Sequence, residues 1–113
     1  MFAFEAIELT AAETSDITRY TSFGEEWIRE ALFARRARRW AETYLEIIDN
    51  KSRTNGWRCY AEGEIVYKRK DGKPITQDDI DALNNFSFGQ GNDIIGKVGD
   101  ATVEQRWICD SSD

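Results

Sequence analysis

The chain contains no histidine. The commonest general base and the commonest metal ligand are therefore both missing. Cysteine is limited to Cys59 and Cys109. Two thiols cannot build a structural zinc site without histidine partners, and neither lies in a C-x-x-C pair. Both sit in aromatic, strand-like settings, which suits small buried hydrophobes better than nucleophiles without a base. Proline occurs once, at Pro74, and no repeat or low-complexity stretch is visible, so the 113 residues read as a single domain, 1–113. No apolar run approaches the roughly 18 residues that suggest a membrane span. The opening MFAFEAIEL carries acids and no basic region, unlike a secretory signal. A reducing, cytoplasmic setting is expected, with no cofactor and no metal.

What is present is a globular, acidic composition. The 21 acids and 15 bases give a net charge of −6, with 41% apolar residues, too many for a disordered chain. Charge is segregated along the chain. Residues 1–26 hold one base and six acids, 27–59 eight bases and four acids, and 60–113 six bases and eleven acids.

Residues 2–9 are rich in aromatic and apolar side chains and read as a first strand. Thr10 with Glu13, and Ser22 with Glu25, match the capping box, a hydroxyl followed three residues later by a carboxylate. The first predicts a short helix to about Tyr20. The second predicts a long helix over 23–49, with Phe33, Ala37, Trp40, Ala41, Tyr44, Ile47 and Ile48 on one arc. Ile28, Ala31 and Leu32 make its first half apolar nearly all round, so the preceding short helix or a partner must cover it. Residues 50–56 read as a loop, and 57–60 and 64–70 as strands, with Glu62 and Gly63 a turn or a bulge. Asp71 and Gly72 mark a turn. Thr76 caps a helix ending near Asn84 and Asn85. Residues 86–100, with four glycines, read as a long irregular loop, and 102–109 alternate as a last strand. The fold class expected is α+β: an antiparallel sheet of three to four strands against one long helix, with one or two short helices.

Three features could carry function. Residues 91–98, GNDIIGKV, resemble the P-loop of nucleotide-binding NTPases, whose backbone amides cradle phosphates. Val98 stands where that motif needs a hydroxyl, and only 16 residues follow Lys97. The expectation is a glycine-rich surface loop that binds no nucleotide. Arg35, Arg36, Arg38 and Arg39 form a basic cluster, a possible phosphate or acidic-partner patch. They spread widely around the helix, so ion pairs with the acidic ends of the chain are the simpler expectation. Asp78, Asp79 and Asp81 gather on one short helix. With Asp93, Phe86 and Phe88 they form the partner-binding surface expected from sequence, one able to mimic nucleic acid in a basic channel.

No carboxylate pair or nucleophile stands out, so the chain is read as a binding protein and not an enzyme. In size, charge and lack of catalytic residues it resembles the small acidic proteins of phages and mobile elements, anti-CRISPR proteins among them. That resemblance implies a stoichiometric inhibitor whose partner is a protein complex that handles nucleic acid, with no membrane involved. The alternatives are a nucleic-acid accessory protein binding through the Arg35 to Arg39 face, and a phage assembly or chaperone component.

Overall fold

The computed structural model describes residues 2–55, 60–86 and 91–110. Three α-helices, α1 (Ala11–Ser15), α2 (Glu25–Tyr44) and α3 (Gln77–Asn85), accompany four strands, β1 (Leu45–Asn55), β2 (Tyr60–Arg69), β3 (Gly91–Ile95) and β4 (Val103–Asp110). The strands form one antiparallel sheet in the order β1-β2-β4-β3. This is the expected α+β class, a small sheet packed against a long helix.

Of the two capping boxes read from sequence one forms, and the Thr76 cap proves to be a box as well. Thr10 accepts from the Glu13 amide while Glu13 accepts from Thr10, and Thr76 and Asp79 do the same for α3. The Ser22 box does not: the N-cap of α2 is Gly24, at φ 107°, with no side-chain cap. The 3₁₀ segment Asp16–Phe23 runs up to that glycine and packs along α2, with Ile17 buried. The preceding short helical segment thus lies against the apolar first half of α2, while leaving Trp27 48% exposed.

Residues 2–9 are not a strand. Ala3–Ala6 form a 3₁₀ turn. It stacks Phe2 on Phe4 and sets Phe4 edge-on against Phe33 at 5.0 Å, with Phe4 fully buried. Burying the Phe4 ring against Phe33 outweighs the local preference for an extended chain. The buried line of α2 is Ala31, Ala34, Ala37 and Ala41, a seam of small residues that lets α3 approach closely, with Phe33 and Trp40 half-buried beside it.

The helix ends five residues earlier than its wheel suggests. Tyr44 is its last residue, and Leu45 turns to φ −117°, ψ 149°, so α2 passes into β1 without a loop. Ile47 and Ile48 are β-branched and fit a strand better than a helix. A bulge between Ile47 and Asp49 in the pairing with β2 absorbs the extra residue. Residues 50–55, read as loop, are strand too, held by pairing with β2 and not by their own polar composition. The pair Asn55–Gly56 and the strand start at 57–59, Cys59 included, lie outside the described residues, apart from the backbone of Asn55. Glu62 and Gly63 are neither turn nor bulge but regular strand.

One face of the sheet, the inner face, carries Leu45, Ile65, Tyr67, Ile94, Val103 and Gln105. It packs on Ala41, Ile75 and Leu83 to form the main core. Gln105 is fully buried there. It accepts from the Tyr67 hydroxyl and donates to the Leu83 carbonyl, both at 3.2 Å. Burial raises the Tyr67 hydroxyl above the ordinary tyrosine range.

Candidate functional site

The other face of the sheet, the outer face, bears no helix among the described residues. Strand alternation sends Lys51 and Arg53 of β1, Glu62 and Glu64 of β2, Asp93 of β3, and Arg106 and Ile108 of β4 to this side. Together with the backbone between them they line an open groove of about 800 Å³. Lys51 stands opposite Glu64, Glu64 opposite Arg106, and Arg106 opposite Asp93. One row therefore crosses all four strands with the signs plus, minus, plus, minus. Contacts tighten it. Arg106 lies 3.9 Å from Glu64 and 3.2 Å from Glu104, and Arg53 lies 2.7 Å from Glu62, which also accepts from the Tyr60 hydroxyl. Lys68 and Glu46 form a further pair at 3.1 Å. Ile108 is an exposed apolar residue of the groove, at 57%.

The floor depends on Gly63. A Cβ there would meet Nε1 of Trp107 at 2.3 Å, so the indole closes over this glycine from the inner face. Cys109 follows Trp107 by two residues on that inner side. It is a free thiol and partly exposed, so it is not the fully buried hydrophobe expected.

The acidic cluster read from sequence comes apart. Asp79 is fully buried and is no contact surface. Its carboxylate accepts from Nη1 of Arg69 at 2.8 and 2.9 Å, from Nε1 of Trp40 at 3.1 Å and from the Thr76 amide at 2.9 Å. Burial pushes its pKa up, but these donors, Arg69 foremost, outweigh burial and hold it below the usual carboxylate range. Arg69 also grips Asp71, lowering that carboxyl to about 2. Asp78 and Asp81 stay partly exposed, with Asp81 accepting from Gln77 at 2.9 Å. Phe86 is half-buried against the core, below the Arg38 guanidinium at 5.7 Å, and offers little free surface. Phe88 lies outside the described residues. Of the expected contact residues that are described, Asp93 alone falls in the groove.

The arginine cluster is partly consumed within the chain. Arg35 pairs with Asp16 at 3.4 Å and Arg39 with Glu13 at 3.6 Å, linking the basic helix to the acidic N-terminal segment. A hydrogen bond from the Thr10 backbone is the largest influence holding Glu13 below its usual value. Arg36 buries its Nε. The P-loop look-alike does not form a phosphate cradle. Gly91–Ile95 are an edge strand paired to β4, and the Lys97 amide donates to Asp100 in the turn that follows.

Sequence reading missed Lys51, Arg53, Glu62, Glu64, Arg106 and Ile108 as neighbours. The alternation of β4 already placed Arg106 and Ile108 on one side. The rest needed the strand order. The chain matches no protein-family model, no curated protein and no solved structure. Among the described residues no helix is long and apolar enough to cross a membrane.

Proposed function

We propose that this protein acts by binding and not by chemistry, as a cytoplasmic stoichiometric inhibitor or adaptor that meets another protein through the outer face of its sheet. The observation that carries the reading is the groove whose charges alternate in sign from strand to strand. A phosphate backbone would call for a surface of one positive sign, and a nucleic-acid mimic for one of negative sign. Mixed charge around an exposed isoleucine suits a protein surface, where complementary charges set register and an apolar centre supplies affinity. Length and net charge support the comparison with small acidic inhibitors of phages and mobile elements, with a nucleic-acid-handling complex as the class of partner. Burial of Asp79 and the pairing of Arg35 and Arg39 argue against the mimic and against the arginine-face alternative.

The test is affinity capture from lysate, with and without nuclease, by the parent and by Ile108→Asp. The expected result is one protein captured near equal stoichiometry, retained after nuclease, and lost with Ile108→Asp at an unchanged melting temperature. Capture that disappears with nuclease, or that ignores the substitution, overturns the reading.

A further inference from the structure

The outer edge of β1 is open. β1 is the first strand in the sheet order, and among the described residues no other strand pairs with that edge. It runs for 11 residues, against 5 in β3, the other edge strand. An extended edge of this length offers a row of unpaired amides and carbonyls to another strand. Ile47 and Ile48, 54% and 48% exposed, add apolar surface on the same strand.

The charges choose the partner. The row Asp93, Arg106, Glu64, Lys51 ends at the edge on a cation, so its continuation calls for an anion. On the same outer face, two residues before Lys51, stands Asp49, the next charge along this strand. We propose that β1 pairs antiparallel with β1 of a second copy of this chain, about a two-fold axis at Asn50, joining the two four-stranded sheets into one.

In that register Asp49 lies opposite Lys51 of the other copy, and Lys51 opposite its Asp49. Two-fold pairing keeps each side chain on its own face, so only registers centred on a residue are possible. Centring on Asp49 sets aspartate on aspartate. Centring on Lys51 sets lysine on lysine, and centring on Ser52 sets Lys51 on Arg53. Asn50 is the centre that opposes unlike charges. Beyond the bulge, where Ile47 and Ile48 together face one residue, Glu46 comes opposite Arg53. Like charges directly across a strand pair destabilise it, and unlike charges support it. The two grooves then abut along the axis, with Lys51 and Arg53 of each copy near the seam.

The experiment measures mass in solution by sedimentation, from micromolar to millimolar protein. The parent is expected to approach twice the 13.0 kDa chain mass as concentration rises. Asp49→Lys places Lys on Lys, and Lys51→Asp places Asp on Asp. Each is expected to raise the dimer Kd at least about tenfold. An equimolar mixture of the two variants restores both unlike pairs and is expected to dimerise about as well as the parent. A parent that keeps the mass of one chain throughout overturns the proposal. So does a mixture that associates no better than either variant alone. Should either variant fail to fold by circular dichroism, hydrogen exchange of the parent decides. Amides of residues 48–52 must gain protection with concentration, and no gain overturns the proposal. Failure here leaves the groove reading standing, because partner capture does not require the second copy.

Discussion

A methyl group at position 63 has no room. Its carbon would lie 2.3 Å from the indole of Trp107, so Gly63→Ala must lift that ring off the sheet. Forcing extra volume into a packed contact costs about 1–3 kcal/mol. The expected outcome is a clear drop in melting temperature that shrinks when Gly63→Ala is made in a Trp107→Leu background. Equal drops in both backgrounds would place the strain elsewhere. From sequence this glycine suggests a turn or bulge, since glycine is usually read as chain freedom. Its role is absence of a side chain, and that needs Trp107 across the strand pair to be visible. Asp79 teaches the same lesson. Its place in a capping box is legible from Thr76 three residues earlier. Its burial is not, because Arg69 and Trp40 come from different elements.

Between elements, the contact of Arg69 with Asp79 ties the end of β2 to the start of α3, and Trp40 adds α2. Removing one partner of a buried ion pair costs about 3–5 kcal/mol. Asp79→Asn belongs near the lower end, because Asp71 still holds Arg69. The carboxyl of Asp79 is lowered in the folded chain, so its contribution is complete above the ordinary aspartate range. That contribution fades as pH falls through the lowered value. Acid titration of the melting temperature should therefore be steeper below about pH 4 for the parent than for Asp79→Asn. Parallel curves would show that this carboxylate does not stabilise the fold through its charge. Helices α1 and α3 were legible because capping boxes are local chemistry. The end of α2 was not. Leu45, Ile47 and Ile48 satisfy the helical wheel, while Leu45 and Ile47 also alternate as a strand, and pairing with β2 decides between them. The polar β1 that follows has no strand composition of its own, and β3 lies within the glycine-rich segment 86–100, so both edge strands read as loop.

For the whole molecule, the segregated charges fold back on one another. The acidic N-terminal segment lies along the basic helix, through Asp16 with Arg35 and Glu13 with Arg39. These pairs are exposed enough to be screened, and such pairs contribute roughly 0–1 kcal/mol each. Arg35→Glu with Arg39→Glu should lower the melting temperature by only a few degrees, less so in high salt, and should leave partner capture intact. Loss of capture at full stability would move the binding surface to the helix. The α+β class was legible from the sum of these segments. The groove was not, because it is a property of strand order: four segments, none distinctive alone, supply one charge each to a row.

The direct passage from Tyr44 to Leu45 has a consequence for how this chain can vary over evolutionary time. One residue inserted there would rotate the helix by about 100° against its seam, or else reverse the two sides of β1. Lys51 and Arg53 would then turn away from the groove, and Ser52 would take their side. The connection after β2 has no such constraint. Gly72, at φ 74°, sits in an exposed turn; Lys70 and Asp71 before it are bonded to Tyr44 and Arg69, but Lys73 and Pro74 after it are exposed. Length changes are therefore tolerable around residues 73–74 and forbidden at 44–45, so descendants of this chain should differ in size at the first place and never at the second.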